Sequence, residues 1–348
     1  MRPTVSRSIA AVSCLLAATA LEAARRPHYG GTLRIEVSGA IGSLDPADMP
    51  TDPAEAALKE NIVREVFNNA GATGPFRVAN WEPMKALALE ANEQFQGGRP
   101  YLDRVEIHMG RSPRDQALDF ELGRADVIEL PPSDLRRAQQ QGGHTSESAP
   151  CRVIALVFNG RREDLDRLRQ ALALTIDRPA IRNVLLQRQG EISGALLPAW
   201  LSGYEFLFPA GRDVARAKEL ATLAAPLSFA WDSQDALLRS IAERIVVNAA
   251  EAGLTLRPTA GSQADARLVV LRIASDDAGD ALKALGGAAA SDPLKLYEAE
   301  RALIESRRMV PLFQLPIAYE MGSNVHAWTT GPTGNWRLED VWLESARP

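Results

Sequence analysis

The stretch that decides the fold is Thr73-Gly74-Pro75-Phe76-Arg77-Val78, followed by Trp81, Leu89-Glu90-Ala91-Asn92 and Gly97-Gly98-Arg99-Pro100-Tyr101-Leu102-Asp103. Gly71 to Pro75 is a break, and beyond it Phe76–Val78 and Ala86–Leu89 read as a short hairpin. Val105-Glu106-Ile107-His108-Met109 alternates apolar and polar, as a half-buried strand does. Pro113 to Gly123 reads as a helix with Gly123 as its stop, and Ala125-Asp126-Val127-Ile128 follows as a strand. Upstream, Gly30-Gly31 opens an alternating strand over 32–37, Ser43-Leu44-Asp45-Pro46 turns the chain, and Pro53-Ala54 leads a helix.

Further out the pattern changes from half-buried to fully buried strands. Arg152 to Phe158 is continuously apolar after its first residue, which predicts burial on both faces. Leu165, Leu168, Leu172 and Ile176 recur at helical spacing over 164–176. Leu227–Trp231, a helix through Leu238, Ile241 and Ile245 that stops at Gly253, and Leu254–Leu256 form a β-α-β unit, which favours a parallel sheet. Ala266 to Ile273 is another buried strand, Pro293 starts a helix to about Ser306, and Met309–Phe313 is a further strand. No internal repeat is visible, and Gln139–Gly143 and Gly286–Ala290 read as surface loops.

With 348 residues the chain has room for two domains and a sizeable core. A net charge of −5 gives no reason to expect nucleic acid or an anionic membrane as partner. Arg2 and Arg7, the apolar run Ile9–Leu21 and Ala18-Thr19-Ala20 predict a secretory signal over residues 1–23, with Ala23 as an alternative cleavage point and a buried N-terminal helix as the plainer reading. Ala11-Val12-Ser13-Cys14 matches a lipobox poorly, so no lipid anchor is expected. Once the signal is cut, Cys151 alone remains; no internal disulfide is possible, and a small buried hydrophobe is its expected role.

No P-loop, G-x-S-x-G or H-E-x-x-H string is present. His28, His108, His144 and His326 are scattered without carboxylate or cysteine at ligand spacing, so neither a metal site nor a cofactor is expected. No constellation supports catalysis. The six tryptophans could wall a ligand, but as singletons they fit core packing better.

The Thr73–Asp103 run resembles the TGP(F/Y)-x-V…W…LExN…GG-x-PYLD stretch of the family 5 extracellular solute-binding proteins, the peptide-, dipeptide- and nickel-binding receptors of ABC importers. Gly31-Thr32-Leu33-Arg34 with Ser43–Pro46, Gly123–Val127, the helix Arg167–Arg178, Pro198 and Val310-Pro311-Leu312-Phe313 resemble further family motifs in the family's order. Here the opening run comes early: between Phe67 and Gly74 the family carries an auxiliary domain of roughly a hundred residues or more, whose motifs this chain does not show.

The resemblance implies a reduced α/β, two-lobe periplasmic binding protein of type II with two hinge strands. Lobe I is expected over 28–152 plus 318–348 and lobe II over 153–317. It implies an exported, periplasmic, monomeric receptor that captures a peptide-like or small polar solute and passes it to an ABC permease. Aligned on the family's ligand strand, Asp276 takes the place of an Asp that holds a peptide amine, while Ile273 stands where the family has Trp. A solvated Asp in an acidic loop with Asp277 and Asp280 is the plainer reading. The turn 45–51 is the family's other contact region and puts Asp48 and Met49 at the cleft, against a plain surface loop. Arg272 and Trp231 complete the candidate ligand-binding set. The missing tryptophan and the shortened stretch 273–291 leave a second reading open: a degenerate receptor fold kept as a sensory or protein-interaction module.

Overall fold

The computed structural model describes residues 26–344 apart from 49, 51, 68–73, 160–163, 223, 262, 289 and 307. The expected signal segment, Met49 and Thr73 therefore lie outside the described residues.

The chain enters through β1 (Thr32–Glu36), helix α1 (Pro53–Phe67), the hairpin β2 (Phe76–Glu82) and β3 (Ala86–Ala91), and β4 (Arg104–His108). It continues through α2 (Pro113–Glu121), β5 (Val127–Leu130), α3 (Pro132–Gln140) and β6 (His144–Glu147). The second part comprises β7 (Arg152–Phe158), α4 (Leu165–Thr175), α5 (Arg178–Val184), β8 (Glu191–Ile192), α6 (Ala199–Ser202), α7 (Val214–Leu220) and β9 (Leu227–Ala230). It ends with α8 (Ala236–Glu251), β10 (Leu256–Pro258), β11 (Ala266–Arg272), α9 (Ala278–Ala284), α10 (Pro293–Ser306) and β12 (Met309–Leu315). The chain then returns through β13 (Ala318–Met321), β14 (Val325–His326) and β15 (Trp342–Leu343).

Two sheets organise these elements. The first has the order β2-β3-β4-β1-β5-β13-β6, and the second β10-β9-β11-β7-β12-β8. In the first sheet β4, β1 and β5 are parallel, and the returning strand β13 pairs antiparallel with β5 and β6. The β-α-β unit read from residues 227–256 is present, with β9 and β10 parallel. Helix starts follow the local chemistry. Ser112, Asp177 and Asp235 accept backbone N–H groups at the starts of α2, α5 and α8, each closing a donor the helix cannot satisfy itself.

Strand β7 is buried on both faces, as its apolar run predicts. Val153 belongs to the apolar cluster that holds the first sheet's core, and Ile154, Leu156 and Phe158 belong to the second cluster. The first cluster reaches past the first sheet: Ala281 and Leu282 of α9, and Leu296, Leu303 and Ile304 of α10, are part of it. Cys151 is fully buried, in keeping with a small core residue. His144–Glu147 is a strand the sequence does not announce; its four polar residues pair with Ala318–Met321 across a long chain separation.

Where the resemblance expects an extra domain, the described residues on either side lie against each other. The Gly74 N–H donates to the Val66 carbonyl at 2.8 Å, so the end of α1 and the start of β2 are in direct contact. A Cβ at Gly74 would collide with the Glu65 carbonyl oxygen. Gly74→Val is expected to lower stability by roughly 1–3 kcal/mol, the usual cost of overpacking, read as a denaturation midpoint shift. An unchanged midpoint would show that the contact between Gly74 and the end of α1 yields.

Candidate ligand cleft at the hinge

The two sheets are joined by two crossings that run side by side, 147–152 and 315–318. The Ser148 N–H donates to the Ile317 carbonyl at 2.9 Å, the Ile317 N–H to Ser148 Oγ at 2.8 Å, and the Cys151 N–H to the Leu315 carbonyl at 3.0 Å. Arg152 Nη2 donates to the Pro316 carbonyl at 2.7 Å, and Trp200 Nε1 to the Pro150 carbonyl at 2.8 Å. Two adjacent crossings can flex together while the sheets stay rigid, which is the geometry of hinge closure.

Open α/β sheets bind ligands beyond the carboxyl ends of their parallel strands. At that end of the first sheet, buried Gln116 ties three segments together. Its Nε2 donates to Ser38 Oγ and to the Arg111 carbonyl, both at 3.0 Å, and its Oε1 accepts the Glu129 N–H at 2.9 Å. The Ser38 N–H donates to Glu129 Oε2 at 2.7 Å. The segment after β1 is therefore pinned where it leaves the sheet. Further along it, buried Lys59 of α1 reaches the Asp48 carbonyl, while Asp48 itself is exposed.

At the matching end of the second sheet, Asp276 and Arg272 differ sharply. Asp276 is exposed in a turn whose neighbour Asp277 caps α9 by accepting the Asp280 N–H at 2.9 Å. Arg272 closes β11, is buried, and places Nη1 2.6 Å from Glu60 Oε2 of α1. One ion pair thus joins the helix beside the first sheet to the last residue of a strand in the second. Nε and Nη2 of Arg272 are buried without a hydrogen-bond partner.

Trp231 lies elsewhere. The β9/β11 register sets Ala230 beside Arg267, so Arg272 is about 13 Å farther along the sheet than Trp231 at ~3.3 Å per residue. Trp231 packs on Phe229, ring centroids 5.3 Å apart, and against the second core. The structure therefore brings Arg272 to the junction, leaves the Asp276 and Asp48 side chains exposed to solvent, and sets Trp231 apart. Sequence reasoning passed over Glu60, Arg152, Gln116 and Glu129. The available signal for Arg152 was a charge opening a wholly apolar strand. A depression of about 370 Å³ lined by His144, Glu320 and Asn324 is at the opposite end of the first sheet from the hinge.

Two α/β sheets joined by paired crossings define the two-lobe, type II class of periplasmic binding protein. The chain belongs to the bacterial extracellular solute-binding proteins, family 5, whose middle-region pattern matches residues 32–280. The oligopeptide-binding protein AppA of Bacillus subtilis is 25% identical over 126 residues, which is 35% of this chain and 23% of AppA. The heme-binding protein A of Haemophilus influenzae is 25% identical over 228 residues, 62% of this chain and 42% of that protein. The chain thus spans less than half the length of these curated relatives. The structure of Bacillus subtilis AppA in complex with a nonapeptide superposes with a TM-score of 0.69 at 14% identity, covering 92% of this chain and 100% of that one. At that identity the likeness speaks for the fold.

Proposed function

We propose that this protein is a periplasmic solute-binding receptor of an ABC importer. It takes a peptide-like or small polar solute between a lobe of residues 28–152 plus 318–348 and a lobe of residues 153–317. Capture needs hinge closure and no bond chemistry, so neither catalysis nor a cofactor enters, and the receptor acts as a monomer in the periplasm. The observation that carries this reading is the pair of hydrogen-bonded crossings between the two sheets, in a chain of this family. AppA was captured with a nonapeptide in an equivalent fold, which supports a peptide-like solute.

A calorimetric or thermal-shift screen against di- to pentapeptides and Ni²⁺ chelates tests it. A rise in melting temperature with one class is expected. Silence across all of them, from protein that melts cooperatively, would sink the reading.

A second reading has one observation in its favour. Arg272 and Glu60 already bridge the two sheets through the chain's own side chains. A fold held closed in this way would suit a sensory or protein-interaction module without transport. Affinity purification from membranes separates the two: a recovered permease supports the receptor, and an unrelated partner alone supports the module.

A further inference from the structure

We propose that Arg272 and Arg152 form an anion-recognition pair at the hinge, and that the captured solute presents a carboxylate to the Nε–Nη2 edge of Arg272. The inference rests on the receptor reading above and names the chemistry of its ligand.

The two arginines come from adjacent strands. In the antiparallel register of β7 and β11, Arg152 and Arg272 stand directly opposite each other. Like charges in that relation oppose pairing unless a counter-charge joins them. Among the described residues, the only carboxylate forming an ion pair with either guanidinium is that of Glu60, on Nη1 of Arg272. Arg152 spends Nη2 on the neutral Pro316 carbonyl. Two fixed positive charges thus share one negative charge.

Hydrogen bonding points the same way. Nε of Arg152, and both Nε and Nη2 of Arg272, are buried without an acceptor. On Arg272 the unused pair lies along one edge of the guanidinium, the edge that meets both oxygens of a carboxylate in a bidentate contact. Leaving charged donors buried and unmade is costly, so a site like this is complete only with an acceptor in place. The single uncompensated charge fits a monoanion. A phosphate dianion would overshoot it and face the Glu60 carboxylate. Burial is compatible with entry because Glu60 rides on α1 beside the first sheet and Arg272 on the second. Opening the hinge parts them and uncovers the free edge.

The position differs from that of Asp276. Asp276 is exposed and offers acceptors for a cation, whereas Arg272 is buried and offers donors for an anion. A solute recognised by its acid group would depend on Arg272 and be indifferent to Asp276.

The test is a calorimetric titration of the full-length protein and its variants with three probes: a tripeptide pool with free C-termini, the same pool C-terminally amidated, and a series of small monocarboxylic acids. Binding of a free-acid probe and none of the amidated pool is expected; which acid probe responds separates a peptide terminus from a small organic acid. Arg272→Gln should weaken that binding by roughly 10–100-fold, the worth of a charged bidentate contact. Arg272→Lys, which keeps charge and loses the fork, should fall between. Glu60→Gln removes the competing carboxylate and should tighten acid binding. If Arg272→Gln fails to melt cooperatively, Arg272→Lys and Arg152→Gln carry the comparison. Equal affinity for free and amidated pools would overturn the anion pair and leave the receptor intact. Silence toward every acid probe also overturns it, and silence toward the amidated pool as well removes the peptide-like reading. A merely structural latch predicts that Glu60→Gln and Arg272→Gln lower the melting temperature alike without a change in acid binding.

Discussion

Trp336→Ala is expected to destabilise the protein by roughly 3–5 kcal/mol, as truncation of a fully buried tryptophan does. Trp336 is 1% exposed. Its ring centroid lies 5.7 Å from that of Trp328 and 6.1 Å from that of Tyr319, a tilted and an edge-on contact that add to the area buried. The backbone around it is held as tightly as the ring. Asn61 Oδ1 accepts the Trp336 N–H at 3.0 Å, and Glu65 Oε1 accepts the Leu338 N–H at 3.2 Å. Asn61 and Glu65 are one turn apart on α1, so a single helix face clamps a segment more than 270 positions later in the chain. Removing the ring leaves the clamp without the body it holds. The expected fall in melting temperature is on the order of 10 °C. If the two parts melt separately, only the transition of the first sheet should move. A loss below about 1 kcal/mol would mean that the cavity collapses or that the segment is not docked in solution.

That clamp also marks where the sequence stopped being legible. The local patterns carried the elements well. Arg152–Phe158 is apolar after its first residue and is buried on both faces, and the alternation over residues 32–37 and 105–109 became parallel strands β1 and β4. These patterns depend on periods of two and 3.6 residues, which a single sequence displays. Long-range polar pairing has no such period. Asn61 and Glu65 look like solvated positions on α1 until the C-terminal segment lies across them. The polar strand His144–Glu147 has no apolar face and forms because Ala318–Met321 comes back beside it. For the same reason Arg272 and Arg152 were visible as charges at strand ends, but the pairing of Arg272 with Glu60 and its register opposite Arg152 were not. Trp231 shows the reverse limit. Its position after a strand is legible, while its packing on Phe229 rather than toward Arg272 depends on the register of the sheet.

Two buried carboxyl groups should make the protein lose stability as the pH rises from about 4.5 to about 8. Burial pushes the Glu65 carboxyl up to about 8, with the Leu338 N–H opposing the change in part. Burial likewise pushes Glu300 up to about 7, opposed by the backbone N–H groups of Leu196 and Leu197 and by the Tyr204 hydroxyl. Glu300 Oε1 accepts those N–H groups at 2.5 and 2.9 Å, and so fastens the turn before Pro198 onto α10. In the unfolded chain both groups titrate near the ordinary carboxylate value. Between that value and the raised one, the folded protein holds protons that the unfolded chain has released. The unfolding free energy therefore decreases with pH: the contribution of each group is whole below about 4.5 and is lost as the pH passes through its raised value. Burial also raises Glu36, Glu191 and Glu320, so the wild-type slope is shared and the variants must isolate it. Glu65→Gln and Glu300→Gln keep an oxygen for the same N–H groups and remove the titration. Each tenfold change in proton affinity between the folded and unfolded chain is worth about 1.36 kcal/mol. Discounted for partial hydration, the double variant should recover on the order of 2–4 kcal/mol at pH 8 relative to pH 5. Denaturant melts at half-unit steps of pH measure this directly. Parallel wild-type and double-variant curves would mean that neither carboxyl holds its proton in the folded state.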